Sequence, residues 1–141
     1  MKLQELNVTM PYLDLEAEFH DKTDISPLKK PFLISYSPDA AEILGVEVED
    51  QEEFLVKIMN GDAHLEGSEP FSMCYAGHQF GYFVPRLGDG RAINLGKTDN
   101  GWNLQLKGSG PTLYSRQGDG RAVLRSSIRE YLMSEAMCGL H

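Results

Sequence analysis

The pentapeptide Gly-Asp-Gly-Arg-Ala occurs twice, at 88–92 and 118–122, in two different settings. Each copy forces a change of direction, because glycines flanking an aspartate favour turns over regular helix or strand. The first copy lies between strand-like runs, Tyr82-Phe83-Val84 before it and Ala92-Ile93-Asn94-Leu95 after it. That pattern predicts an antiparallel hairpin closed by the Gly-Asp-Gly turn. The second copy leads into RAVLRSSIREYLMSEAM (121–137), which has no Gly or Pro and repeats Leu124, Ile128, Leu132 and Ala136 at four-residue spacing. A long helix is predicted there, with Asp119 either capping it or meeting a ligand beside free amides. The pentapeptide is thus a turn in one place and a helix start in the other, and not a structural repeat.

Between the copies, Asn100-Gly101 predicts a second hairpin turn and WNLQLKG (102–108) a further strand. Alternation sends Leu104 and Leu106 to one face and Gln105 and Lys107 to the other. Lys107 then has two readings: a solvated lysine, or a phosphate ligand reaching across the hairpin. Arg121, Arg125 and Arg129 form a stripe along the predicted helix. YAGHQFGYFVP (75–85) sets His78 and Gln79 between glycines, where they could touch a ligand. For His78 a structural hydrogen bond is the favoured role. His20, His64 and His141 are too far away in sequence to complete a metal site by spacing.

The first half reads as scaffold. Residues 1–36, with prolines at 11, 27 and 31, are expected to be mostly extended or irregular. SPDAAEILGV (37–46) predicts a helix with Ser37 as N-cap, Pro38 in the first turn and Gly45 just past the end. DQEEFLVKIMNG (50–61) predicts another, with Asp50 and Glu53 as a capping box and Asn60-Gly61 as its stop. Phe54, Leu55, Ile58 and Met59 would form its packed face.

Charge divides the chain. Residues 1–70 hold 16 acidic and 5 basic side chains, a balance of −11, whereas 71–141 hold 5 and 8, a balance of +3. An overall −8 excludes a general nucleic-acid or anionic-membrane binder, and the basic, glycine-rich half suggests a local site for a small anion. The organisation expected is an acidic scaffold over 1–70 and a segment over 71–141 that carries this anion site. No apolar run is long enough to span a membrane, and the first residues lack the pattern of an export signal. Cys74 and Cys138 show no pairing or CxxC spacing, so a reduced, cytoplasmic setting is expected.

Two phosphate-binding motifs fail on inspection. Gly96-Lys97-Thr98 resembles the end of a P-loop, but Gly90 is one residue too far upstream and a strand follows where a helix is required. GSGPTL and GDGRAI lack the third glycine of a dinucleotide fingerprint. What survives is an order: glycine turn, strand bearing a lysine, helix bearing a glutamate. That is the order of a protein-kinase small lobe, in which backbone amides cover phosphates and a helix glutamate holds the strand lysine.

At these residues the chain resembles the selenoprotein O (YdiU) family, through EGSEPFSMCYAGHQFGYFVPRLGDGRAINLG and LQLKGSGPTLYSRQGDGRAVLRSSIREYLMSEAM. The likeness is dense over about 60–140 and looser before. It implies an α+β fold: a protein-kinase-like, pseudokinase-type N-lobe, with a small antiparallel sheet and one long packed helix, preceded by a helical and irregular N-terminal region. It implies a protein adenylyltransferase that moves AMP from ATP to Ser, Thr or Tyr hydroxyls of proteins. Gly88, Gly90, Arg91, Lys107, Asp119 and Gly120 would contact ATP, and Glu130 would position Lys107. On a helical wheel Glu135 competes for that last role.

The family's catalytic base and its Mg²⁺ or Mn²⁺ ligands lie later than its counterpart of His141. No catalytic or metal-binding residue is therefore expected within 1–141, and this chain alone is expected to be inactive. A non-catalytic nucleotide-binding or interaction protein is the alternative. A true protein kinase is a third reading, disfavoured by the glycine turn.

Overall fold

The computed structural model describes residues 1–140. Its strands are β1 (Val8–Thr9), β2 (His20–Lys22), β3 (Phe71–Met73), β4 (Gly77–Gln79), β5 (Tyr82–Val84), β6 (Ala92–Thr98) and β7 (Asn103–Lys107). Its helices are α1 (Pro38–Leu44), α2 (Glu52–Asn60) and α3 (Leu124–Leu140). The result is α+β with small antiparallel sheets and a C-terminal helix. Among the described residues, no helix is long and apolar enough to cross a membrane.

β6 is the centre of the larger sheet, and most of its side chains are buried. β7 pairs with one edge of it through the Asn100-Gly101 turn. The opposite edge is shared by β1, through Val8 and Thr98, and β3, through Phe71 and Asn94, with β2 beyond β3. Strands from both sides of residue 70 thus share one sheet. The ladder between β6 and β7 shifts register between Asn94 and Gly96. Gly96 has φ 127°, and a Cβ there would lie 2.8 Å from Val8 and Met10, so β1 can approach only a glycine.

Leu104 and Leu106 turn inward, as alternation predicts, against Leu3, Leu6, Val8, Val46, Val48, Ile58, Leu65 and Leu95. Each such side chain contributes about 1.5–3 kcal/mol by leaving water. α1 follows its sequence signals: the Ser37 hydroxyl accepts from the Ala40 amide at 3.3 Å, and Gly45 ends the helix at φ 71°.

Several expectations are corrected. β5 pairs with β4, not with β6, so the first Gly-Asp-Gly is not a hairpin turn between them. The amides of Leu87, Gly88 and Asp89 instead bond back to the carbonyls of Tyr75 and Met73, continuing the line of β3. Asp50 does not cap α2; it sits at φ 62°, and the helix starts after Gln51. The Gln51 carboxamide holds that turn, accepting from the Leu3 amide at 2.9 Å and donating to the Glu47 carbonyl at 2.6 Å. Met59 is exposed, whereas Ile58 is buried and Phe54 and Leu55 pack on the core. Residues 1–36, expected to be mostly extended or irregular, are so, and their two short extended stretches β1 and β2 join the sheet.

The long helix is also corrected. It begins at Leu124, later than predicted, and none of its residues is buried, so it is not packed across the sheet. Its many strong helix formers suit it to stand with little tertiary support. It meets the rest of the chain at the end of β7 and along residues 34–35, where Ile34 faces Leu124, Ile128 and Leu132. Leu132, Met133 and Met137 on α3, and Phe32 in the segment before α1, remain exposed.

Candidate functional site

The first glycine turn is built from the inside. Asp89 is buried, and its carboxylate accepts from the Met73 amide at 3.0 Å and from Asn94 Nδ2 at 3.1 Å. Asn94 is held in turn by Gln105, whose Nε2 donates to its Oδ1 at 2.9 Å. Gly88 has φ 56° and lies against the Tyr114 ring, where a Cβ would come within 2.3 Å of Cγ. The amides from Leu87 to Gly90 all donate within the protein. This turn therefore does not offer the row of free amides that covers phosphates in the kinase order; what it presents is close backbone approach and the exposed Arg91 side chain.

The second turn is built differently. Asp119 is exposed, and its Oδ1 accepts from the Arg121 amide at 2.9 Å, two residues on. It caps this local turn and not α3, which starts five residues later. Gly120 has φ 67° and presses on Gly110, whose carbonyl oxygen would be 1.9 Å from an added Cβ. Arg121, expected on the helix stripe, precedes the helix and donates to the Ser26 carbonyl at 2.7 Å.

The two turns line one cavity of about 410 Å³, with Gly88, Gly90 and Arg91 on the first and Asp119, Gly120 and Arg121 on the second. Gln79 and Arg116 also reach it. Arg91 lines a neighbouring hollow of about 370 Å³ as well, together with Lys107 and Glu130. In that hollow Lys107 Nζ lies 2.7 Å from Glu130 Oε2, so Glu130, and not Glu135, is its partner. The Lys107 hydrogen bond holds the Glu130 carboxyl below its ordinary range against desolvation, and the charges of Lys107 and Arg91 add to the lowering. Both side chains are about half exposed, at 49% and 50%, so the pair adds little to the stability of the fold.

A larger cavity of about 590 Å³ lies elsewhere, around Met10, Tyr12, Phe71 and Leu104. Its lining carries Lys97 as its single charged side chain, so the smaller cleft is where charge converges. Among the described residues no three His, Cys, Asp or Glu side chains gather where a metal ion could sit. His78 is exposed and meets the Phe83 ring edge-on at 5.4 Å. Among the described residues its ring makes no hydrogen bond, so the expected structural bond is not formed.

Sequence reasoning missed Arg121 as a cleft residue, because the helix was started too early. It also missed Thr112, Tyr114 and Ser115, which touch the first turn. A Ser/Thr-rich run after Gly-Pro is a signal for local side-chain-to-backbone bonding and could have marked them.

The whole chain has relatives. Residues 2–141 match the family described as protein adenylyltransferase SelO. The "Protein nucleotidyltransferase YdiU" of Thioalkalivibrio sulfidiphilus is 50% identical over 99% of this chain and 29% of its own length. Its namesake in Myxococcus xanthus is 50% identical over 98% of this chain and 29% of its own length. In Photobacterium profundum a protein of the same name is 46% identical over 98% of this chain and 28% of its own length. The chain thus spans under a third of the length of these relatives. By this match along nearly its whole length, the chain belongs to the SelO/YdiU family of protein nucleotidyltransferases.

Proposed function

We propose that this chain forms the ATP-holding part of a protein adenylyltransferase, which transfers AMP to Ser, Thr or Tyr hydroxyls of proteins, and that it shares with a protein-kinase small lobe the strand lysine held by a helix glutamate. One observation carries the reading: both Gly-Asp-Gly-Arg turns line a single cleft, and Arg91 joins that cleft to the Lys107–Glu130 pair. The chemistry suits a polyphosphate. Glycines admit close approach, and the guanidinium and ammonium groups offset negative charge.

In this reading Gly88, Gly90, Asp119 and Gly120 shape the contact with ATP, and Arg91 and Lys107 meet its phosphates. Glu130 keeps Lys107 aimed. A hydroxyl oxygen of the target protein attacks the α-phosphorus, the bond to the β-phosphate oxygen breaks, and pyrophosphate leaves. A divalent ion such as Mg²⁺ or Mn²⁺ would offset phosphate charge in such a transfer. The described residues gather no ligand set for such an ion, and in this proposal the base that takes the hydroxyl proton lies outside residues 1–141.

The test is label transfer by the full natural polypeptide. ATP labelled on the α-phosphate should mark protein, ATP labelled on the γ-phosphate should not, and Lys107→Ala should abolish the signal. Transfer of the γ-label would make it a kinase. Transfer of neither label, with ATP still bound, would leave a nucleotide-binding protein.

A further inference from the structure

One short segment, Thr112–Ser115, grips every residue of the first glycine turn. The Tyr114 ring lies on Gly88. Thr112 Oγ1 donates to the Asp89 carbonyl at 2.6 Å, and Ser115 Oγ donates to the Gly90 carbonyl at 2.5 Å. The same hydroxyls also accept, Thr112 Oγ1 from the Tyr114 amide at 3.0 Å and Ser115 Oγ from the Thr112 amide at 2.7 Å. Each is fixed from two sides, so the segment is rigid where it touches the turn.

The grip extends both ways. Tyr114 donates its hydroxyl proton to Asp21 in β2, which anchors the ring to the sheet. Burial first, and then the Asp21 hydrogen bond, push the phenol above its ordinary value and keep it a donor. On the other side the Ser115 carbonyl accepts from the Gly118 amide at 2.8 Å, at the start of the second turn. A continuous chain of contacts therefore runs from the sheet through the first turn to the second.

We propose that Thr112, Tyr114 and Ser115 are positioning residues for the nucleotide, setting the spacing between the two glycine turns and so the width of the cleft. The inference rests on the reading of that cleft as an ATP site. The clamp also has an electrostatic role. The Asp89 and Gly90 carbonyl oxygens would repel a nearby phosphate if left bare, and the two hydroxyls occupy them. Holding both turns before ATP arrives removes an ordering cost from binding.

The test compares variants of the full natural polypeptide titrated with α,β-methylene-ATP, which cannot yield AMP. Thr112→Val, which keeps shape and loses the hydroxyl, should raise Kd roughly tenfold, while Thr112→Ser should restore binding. Ser115→Ala and Ser115→Thr make the same comparison at the Gly90 carbonyl and serve if Thr112→Val does not fold. A purely structural segment would lower the unfolding midpoint and leave Kd within about twofold below that temperature, and this result overturns the proposal. Arg91→Ala and Lys107→Ala identify a failure of the underlying reading. If they leave Kd unchanged the cleft is not the ATP site, and the clamp proposal falls with it. If they weaken binding while Thr112→Val does not, the clamp alone is wrong.

Discussion

The two Gly-Asp-Gly-Arg turns share their spelling and almost nothing else. In the first, the leading glycine takes the left-handed conformation and the aspartate is buried. In the second, the trailing glycine takes it and the aspartate is exposed. The first arginine is exposed, while the second is tied to the Ser26 carbonyl. A five-residue sequence therefore specifies a turn without specifying which turn, and surrounding contacts choose. The first copy is fixed by its aspartate from within; the second is fixed by close backbone approach.

That contrast is broken most sharply by adding a methyl group. Gly120→Ala should cost about 3 kcal/mol or more, since its Cβ would overlap backbone at a left-handed φ. Gly88→Ala should cost about 2–3 kcal/mol, because the Tyr114 ring can retreat only by straining its bond to Asp21. Gly118→Ala, with no positive φ and one carbonyl at 3.1 Å, should cost about 1 kcal/mol or less. Chemical denaturation of the three variants gives the ranking. Equal losses at 88 and 118, the leading glycines of the two copies, would mean the copies are alike after all.

The aspartates give the next largest difference. Asp89→Ala strands the Met73 amide and an Asn94 donor and should cost about 2–3 kcal/mol. Asp119→Ala removes an exposed local bond and should cost about 0.5 kcal/mol, yet on the proposed function it should weaken ATP binding. Unfolding and ATP titration on both variants separate a residue that builds the turn from one that faces the ligand.

The smallest effect is a titration. The Arg91 charge helps to hold the Glu130 carboxyl below its ordinary value of 4.5. Because the folded value is the lower one, ionised Glu130 favours the folded protein above that value and loses the advantage as pH falls through the folded one. Arg91→Ala should move the Glu130 midpoint upward, seen by carbon-detected NMR, and Arg121→Ala should not. An equal shift from both would mean that the two arginines are not differently placed.

Much of the fold was legible where the deciding contacts are local. Ser37 and Gly45 bracket α1, Asn100-Gly101 turns β6 into β7, and Leu104 and Leu106 alternate with Gln105 and Lys107 as written. Legibility failed where distant segments compete. Tyr82-Phe83-Val84 reads as a partner for β6, but β1, β3 and β7 occupy both edges of that strand. Asp50 reads as a cap until Gln51 bonds to Leu3, 48 residues away, and to Glu47 just before it. The apolar spacing of α3 reads as a packed face, yet spacing says nothing about whether a partner surface is present. Local pattern at either copy could not show that both line one cleft, since that is a property of how Thr112–Ser115 and Gly110 hold them. In the sequence, only the family resemblance brought the two together.

The pairing of Val8 with Thr98 spans about ninety residues of chain. On a ribosome that adds roughly 5–20 residues each second, β1 waits about five to twenty seconds for its partner to be made. Through that interval its backbone donors and acceptors are unpaired, the state in which nascent chains stick to one another. Two residues are too few to template such an error. The brevity of β1 is a safeguard during synthesis as much as a feature of the finished sheet.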